Sequence, residues 1–173
     1  MKRLILMRHA KTEPWDESVD DHGRALTSVG HIAAEAVAIA LKTSGWVPDK
    51  ALISTARRTR ETWGHLAQVF PASGCHFDES LYLASARVIS DVIQRHHGAS
   101  TLMMIGHNPG IHELSLSLIR DAGASDDTIA SRLAAKMPTG GTAMFEASEE
   151  GNFRPSSFKL VQFIAPKDLI EPA

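Results

Sequence analysis

The stretch LILMRHAKT, residues 4–12, constrains the fold more than any other part of the sequence. Four apolar residues run directly into Arg8 and His9. A short, continuous apolar run that ends at polar residues is typical of a strand buried on both faces of a parallel sheet. Similar runs occur at residues 51–53 and 102–105, so the sequence predicts buried parallel strands at all these places.

Helical patterns separate the predicted strands. Thr27 is the predicted N-cap of a helix whose sheet-facing side contains Val29, Ile32, Ala33, Ala36, Val37, Ala40 and Leu41. Further helices are predicted at residues 56–70, capped by Ser54 or Thr55, and at residues 84–96. Another is predicted to begin at Asn108, with Pro109 as its first residue.

Two more strands are predicted late in the chain, at residues 142–146 and 158–165, joined by a turn around Gly151. They are expected to add an antiparallel edge to the sheet. Alternation of strands and helices over most of the length predicts an α/β fold, a three-layer α/β/α sandwich with a mostly parallel central sheet. Residues 120–136 begin acidic and become helical in pattern, and could shape the rim of a site.

Length and charge bound the functional classes. A chain of 173 residues with 43% hydrophobic and 22% charged residues predicts one domain spanning residues 1–173. A net charge of -2 without a Lys/Arg run argues against nucleic-acid and membrane partners. The apolar run at residues 4–7 is too short for a signal peptide or a membrane span. The single cysteine, Cys75, excludes an internal disulfide, and we predict a cytoplasmic protein.

Cationic and imidazole side chains follow each of the first predicted strands, namely Arg8 and His9, then Arg57, Arg58 and Arg60, then His107. Ligands bind at the carboxyl ends of strands in open α/β sheets. Taken alone, an arginine here is usually a surface residue and a buried histidine a core member. Agreement among the strand ends instead predicts one crevice, and a cluster of cations favours a phosphate, which arginine binds bidentately.

Other chemistries lack their signatures. His107 and His112 are five positions apart, paired cysteines are missing, and we predict no metal site. The glycines form neither a P-loop nor a dinucleotide fingerprint, so no nucleotide cofactor is expected. A cysteine-based phosphatase would need an arginine six positions after Cys75, where Leu81 stands. We assign no chemistry to the remaining histidines, His22, His31, His65, His76, His96, His97 and His112.

The motifs MRHA, DHGRALTSVG, STARRTRET, GHNPG and MPTGG follow one another from residue 7 to residue 141. In this order and spacing they resemble the histidine phosphatase superfamily, with its phosphoglycerate mutase-like fold, and within it the short SixA-type phosphohistidine phosphatases. The resemblance covers nearly the whole chain. Ala10 stands where the superfamily more often has glycine, a feature of the short members, and STA replaces the common Ser-Pro-Leu.

The resemblance implies roles for five residues. His9 is the expected nucleophile, and Arg8, Arg58 and His107 are expected to bind the phosphoryl group. Arg58, and not Arg57, matches the second arginine of the superfamily because it stands four residues after Ser54. Glu79 resembles the general acid of related enzymes, but a solvated loop carboxylate is an equally good interpretation of this residue.

The expected reaction is removal of a phosphoryl group from phosphohistidine on a signalling protein, through a covalent phosphohistidine on His9. The expected partners are a phosphorylated protein, such as a histidine-containing phosphotransfer domain, or a small phosphorylated molecule, with phosphate ion as product. The short chain leaves little room for a lid over a small substrate. Two alternatives stay open: a phosphatase of small phosphate esters, which would need Glu79, and a non-catalytic phosphate-binding module.

Overall fold

A computed structural model describes residues 1–96 and 98–170 of the chain. Its single sheet contains six strands, β1 (Arg3–Arg8), β2 (Lys50–Ser54), β3 (Gly74–Asp78), β4 (Thr101–Gly106), β5 (Thr142–Ala147) and β6 (Phe158–Ile164). Their order across the sheet is β3-β2-β4-β1-β5-β6. The first four strands are parallel, and β5 and β6 continue the sheet in antiparallel pairing. The predicted mixed sheet is therefore confirmed, with two antiparallel strands on one side.

The helices are α1 (Ser28–Thr43), α2 (Arg57–Val69), α3 (Ala86–Arg95), α4 (Gly110–Ala122), α5 (Asp127–Ala135) and α6 (Lys167–Ile170). One face of the sheet, with Ile5 and Met7 of β1, packs against α1 and α2 in one apolar cluster. The opposite face, with Leu4 and Leu6, packs against α3 and α4. Because successive strand residues point to opposite faces, the continuous apolar runs are what a sheet covered on both sides requires. The three-layer sandwich is thus confirmed.

The buried side of α1 differs from the predicted one. Val29 and Ile32 are 47% and 57% exposed, whereas Ala34 and Ala38 are fully buried. Ala34 packs with Ala10 and Leu26 directly beside His9. A β-carbon at Gly30 would lie 2.1 Å from the Lys11 carbonyl oxygen, so the helix meets this segment through its small residues. Close approach of the backbones, rather than bulk, decides which face is buried.

Two predicted helix caps are wrong, although α2 begins within one residue of its predicted start. No side chain caps α2, and the Ser54 hydroxyl instead contacts His107. Helix α4 begins at Gly110, after a cis peptide between Asn108 and Pro109, and the Asn108 amide donates to the Met137 carbonyl. Ser54 and Asn108, which were predicted as helix caps, therefore form hydrogen bonds with other segments instead. Among the described residues no helix is long and apolar enough to cross a membrane.

Candidate active site

Four of the five predicted site residues meet at the carboxyl edge of the parallel strands. Arg8 ends β1, His9 follows it, Arg58 lies in the first turn of α2, and His107 directly follows β4. The strands β2, β4 and β1 are neighbours, so these segments converge. The ring centroids of His9 and His107 are 5.3 Å apart. Three of the four side chains are nearly inaccessible, with His9 7%, Arg58 3% and His107 2% exposed.

The His9 ring has a defined tautomer. Its Nδ1 lies 2.8 Å from the Ala10 carbonyl oxygen, which can only accept, so Nδ1 carries the proton and donates it. The lone pair is therefore on Nε2. Burial is the largest cause that lowers the pKa of His9, to about 4, and the positive charges of Arg58 and Arg8 act in the same direction. At neutral pH His9 is an uncharged imidazole with one nitrogen free to attack.

Arg8 carries an unpaired donor next to His9. Its Nη1 donates to the Met137 carbonyl oxygen at 3.0 Å. Its Nε is buried and has no hydrogen-bond partner among the described residues. Burial, followed by the charge of Arg58, lowers the pKa of the Arg8 guanidinium. A buried donor without a partner is costly, and an anion would supply the missing acceptor.

Arg58 and His107 are joined to each other. The Arg58 Nε donates to His107 Nδ1 at 3.3 Å. The proton of His107 is therefore on Nε2, which donates to the Ser54 hydroxyl at 2.8 Å. Burial, and next the charge of Arg58, lowers the pKa of His107 to about 3. At neutral pH His107 is therefore uncharged in the free protein, because its protonation would bury a second cation against Arg58.

Sequence reasoning missed the carboxylate that holds Arg58. Arg58 donates through Nη1 to the Asp21 carbonyl oxygen at 2.6 Å and through Nη2 to the Asp21 carboxylate at 3.1 Å. The same carboxylate accepts from the Tyr82 hydroxyl at 2.6 Å and from Arg24 at 3.0 Å. The bond from Tyr82 is the main cause that lowers the Asp21 pKa well below its usual range. Asp21 and Arg24 lie within the DHGRAL motif, whereas no pattern in the sequence points to Tyr82.

The MPTGG motif forms the loop that supports the nucleophile. The Gly140 N–H donates to the His9 carbonyl oxygen at 2.8 Å, and the Arg8 N–H donates to the Gly141 carbonyl oxygen at 3.0 Å. Gly140 has a φ of 75°, and a β-carbon there would lie 2.6 Å from Pro166 Cγ. Glycine is required by both conformation and space, and the loop fixes the backbone of His9.

Glu79 is not bonded to any member of this cluster among the described residues. It follows β3 and opens a short 3₁₀ helix, Glu79–Leu81, at the same edge of the sheet. The side chain is exposed, and its carboxylate forms no hydrogen bond or ion pair with any described residue. The role of Glu79 stays a prediction. Within residues 1–96 and 98–170, no group of three or more His, Cys, Asp or Glu side chains could hold a metal ion.

Comparison with known proteins identifies close matches over most of the chain. The family model described as the histidine phosphatase superfamily (branch 1) matches residues 4–82. An uncharacterized chloroplastic protein of Arabidopsis thaliana is 35% identical, with 98% of this chain and 80% of that protein covered. An uncharacterized protein of Mycobacterium tuberculosis is 31% identical, with 93% of this chain and 100% of that protein covered.

A solved structure extends the similarity to the fold. The crystal structure of a candidate phosphohistidine phosphatase SixA from Agrobacterium tumefaciens superposes with a TM-score of 0.81. The two chains are 26% identical, and the match covers 95% of this chain and 98% of the other. The sheet and its flanking helices are therefore shared over nearly the whole length of both proteins.

Proposed function

Because the chain belongs to the histidine phosphatase superfamily, as a short SixA-type member, we propose that it hydrolyses phosphohistidine on a protein with His9 as the nucleophile. One observation carries the proposal. His9 is a buried, uncharged imidazole with Nδ1 bonded to the Ala10 carbonyl oxygen and with no described residue bonded to Nε2, and it lies beside the guanidinium groups of Arg8 and Arg58. A nucleophile and the cations that accept its phosphoryl group are thus present in one crevice.

The first step is in-line attack of His9 Nε2 on phosphorus. The new bond joins Nε2 to phosphorus, and the bond from phosphorus to the substrate imidazole breaks. When the substrate ring carries a proton on its other nitrogen, it departs as neutral imidazole and needs no proton from the protein. His9 keeps its Nδ1 proton, still bonded to the Ala10 carbonyl oxygen, which stabilises the charge that the ring gains.

Water completes the cycle. Its oxygen bonds to phosphorus, the bond from phosphorus to Nε2 breaks, and the electron pair returns to His9. Both protons of the water stay on the released phosphate, so His9 returns to the neutral Nδ1 tautomer. Phosphoryl transfer asks the protein mainly to hold reactants in line and to stabilise charge on the equatorial oxygens. The free Nε of Arg8 and the Arg58 guanidinium are suited to that task.

His107 would contribute after a phosphoryl group arrives. In the free protein both of its ring nitrogens are engaged, by Arg58 and Ser54. The negative charge of a phosphoryl group opposes the burial and the cations that lower the pKa of His107. A proton on Nδ1 would then replace the bond from Arg58 and donate to a phosphoryl oxygen. We propose this as the route by which His107 joins phosphate binding.

The leaving group favours phosphohistidine over an ester. Departure of an alcohol needs an acid, whose contribution is typically about 10²- to 10⁴-fold. Imidazole, whose conjugate acid has a pKa of about 6.5, departs without one. The candidate acid, Glu79, is exposed and forms no bond that would fix its carboxylate toward His9. This arrangement supports a substrate that makes little demand on an acid.

The experiment compares turnover of a phosphohistidine protein, phosphoramidate and a simple phosphate ester. We expect His9→Ala to abolish turnover of all three and to prevent formation of an acid-labile, base-stable covalent phosphate. We expect Glu79→Gln to leave phosphohistidine hydrolysis within about twofold of the parent. The matched control is His76→Ala, which removes an exposed imidazole from β3, outside the site.

Three results would contradict the proposal. Phosphate binding without a covalent intermediate would identify a non-catalytic binding module. Faster turnover of the ester than of phosphohistidine, lost in Glu79→Gln, would identify a phosphatase of small esters. Retention of activity in His9→Ala would remove the assigned nucleophile.

A further inference from the structure

We propose that the cavity between α5 and the end of β6 binds an acidic, partly apolar segment of the phosphoprotein substrate, close in sequence to the phosphorylated histidine. We call it the α5–β6 cavity; its walls include Pro138, Phe163 and Pro166, and its rim carries Arg132, Lys136 and Lys167. The inference rests on the proposed function and adds to it a preference for the sequence around the phosphohistidine.

The cavity has the size and character of a binding site. Its volume is about 450 Å³, within the range of about 300 to 1,000 Å³ that is usual for ligand pockets. The walls combine the Phe163 ring with the rings of Pro138 and Pro166. Such walls accept an aliphatic side chain, while charged groups at the rim select what accompanies it.

The rim has an excess of positive charge. Among the described residues, Lys136 and Lys167 have no carboxylate partner, and both are exposed. Arg132 is paired with Asp168, the one carboxylate of the described part of the chain in contact with these cations. Two ammonium groups without a carboxylate partner in residues 1–96 and 98–170 therefore border an apolar cavity, in a chain whose formal charge is -2. This combination is complementary to a peptide with acidic residues next to an apolar one.

The cavity lies at the same edge of the sheet as the site. Thr142 pairs with Met7 of β1 and with Ile164 of β6, so the end of β6 lies beside the end of β1. Neighbouring strands are about 4.8 Å apart, which places β6 about 10 Å from β1. An extended chain covers that distance in about three residues. A segment three or so residues from the phosphohistidine is therefore able to reach the cavity.

One loop forms a wall of both places. Pro138 and Thr139 line the cavity, and the next residue, Gly140, donates its N–H to the His9 carbonyl oxygen. The residue before Pro138, Met137, accepts from Arg8 through its carbonyl oxygen. No separate element intervenes between the two along this loop. A peptide bound through its phosphohistidine would thus pass directly from the loop into the α5–β6 cavity.

The test uses two synthetic phosphohistidine peptides that differ in one feature. One has Glu and Leu three and four residues from the phosphohistidine, and the other has Gln in place of Glu. The double variant Lys136→Glu/Lys167→Glu removes the positive charge of the rim. Its control is Lys42→Glu/Lys159→Glu, which makes the same change in net charge at the end of α1 and at the start of β6. Phosphoramidate, which cannot reach the cavity, serves as the reference substrate.

We expect the parent protein to prefer the Glu peptide, and the rim variant to lower kcat/KM for that peptide by about tenfold. Turnover of phosphoramidate should stay within about twofold in both double variants, and the control variant should keep the preference. Equal rates on the two peptides in the parent, or equal losses in both variants, would overturn the inference alone. Failure to hydrolyse phosphoramidate or either peptide would overturn the proposed function.

A small anion is the competing occupant. Anilinonaphthalene sulfonate, an anion with an apolar body, is the probe for it. If the parent binds this probe, the rim variant does not, and the two peptides are hydrolysed equally, the cavity is a small-anion site and the proposal is wrong. Preference for the Glu peptide that is lost only in the rim variant supports the peptide subsite.

Discussion

Two buried imidazoles, the buried guanidinium of Arg58 and the half-buried guanidinium of Arg8 occupy one small volume. Repulsion among them is limited because the imidazoles stay neutral. Burial lowers the pKa of His9 to about 4 and that of His107 to about 3. Among the residues that the structure describes, Asp21 supplies the one carboxylate in contact with Arg58. Arg8 keeps an unpaired Nε. The free site is thus held together by neutral imidazoles and by the ion pair between Arg58 and Asp21, and Arg8 retains positive charge for an anion.

Ser54→Ala tests how His107 is held. The Ser54 hydroxyl is fully buried and accepts from His107 Nε2. Its removal leaves a buried N–H without a partner, so we expect a loss of about 1 to 3 kcal/mol in the free energy of unfolding. We also expect kcat/KM to fall by about tenfold, because the ring loses its orientation relative to Arg58. Urea denaturation and phosphoramidate turnover measure the two effects.

Ser115→Ala is the matched control. Ser115 is equally buried, and its hydroxyl donates to the Ile111 carbonyl oxygen within α4, away from the site. We expect no change in turnover. An equal loss of activity in both variants would show that Ser54 acts only through general stability.

Phosphate binding should change the protonation of His107. An oxoanion between the guanidinium groups favours the charged imidazole, so the pKa of His107 should rise from about 3. The measurement is ¹⁵N NMR of the imidazoles, with and without tungstate or phosphate, over a range of pH. In the anion complex the Nδ1 signal should take on protonated character at a pH where the free protein shows none. Unchanged His107 signals in a saturated complex would contradict the assigned role.

Residue patterns predicted that the four site side chains come together, but not which residues hold them in place. Arg8, His9, Arg58 and His107 follow strands that end at one edge, and the parallel topology brings them together. Asp21 and Tyr82 come from loops, where periodicity carries no signal. Their positions depend on the path of the chain between elements, which single-residue patterns do not encode.

At the scale of elements, the sequence predicted those strands whose packing is decided by their side chains. The buried strands β1, β2 and β4 are continuous apolar runs, and their places were predicted. The edge strand β3 has the sequence GCHFD with mostly exposed side chains, so it lacks both the alternating and the continuous pattern. Its backbone pairs with β2 all the same. Backbone pairing at an edge leaves little trace in hydropathy.

Helix α4 depends on a close backbone contact at its first residue. A β-carbon at Gly110 would lie 2.0 Å from the Ala84 carbonyl oxygen. Gly110→Ala must separate α4 from the segment that follows Tyr82, so we expect a loss of about 1 to 3 kcal/mol in the free energy of unfolding. Turnover should fall as well, because His107 directly precedes α4 and its ring contacts Tyr82, so a shift of either segment displaces the site.

Gly64→Ala makes the same chemical change in an open position. Gly64 lies inside α2, is exposed, and a β-carbon there would meet nothing within 4 Å. Alanine should stabilise the helix by about 0.5 to 1 kcal/mol, without effect on turnover. Thermal or urea unfolding of both variants checks the pair, and a stabilising Gly110→Ala would refute the steric argument.

At the scale of the whole molecule, the buried imidazoles of the site lower the free energy of unfolding at low pH. Histidines in an unfolded chain have a pKa of about 6.5, well above the values of about 4 and about 3 in the native protein. Between pH 6.5 and about 4, the unfolded chain therefore binds up to two more protons through His9 and His107. Above pH 6.5 both groups are neutral in both states and add no dependence on pH.

The free energy of unfolding should therefore fall with pH from 6.5 toward 4, by up to about 1.4 kcal/mol per pH unit for each of the two imidazoles. His9→Gln removes one of the two imidazoles, so the slope of the free energy of unfolding against pH should fall by the contribution of one titrating group. His76→Gln, on the exposed edge strand, is the control. Urea denaturation at pH 7, 6 and 5 gives the slopes. Saturating phosphate should flatten the slope of the parent, because the bound anion favours protonated His107. Identical slopes for the parent and His9→Gln would mean that the buried nucleophile titrates like a solvated histidine, and the neutral-imidazole mechanism would lose its basis.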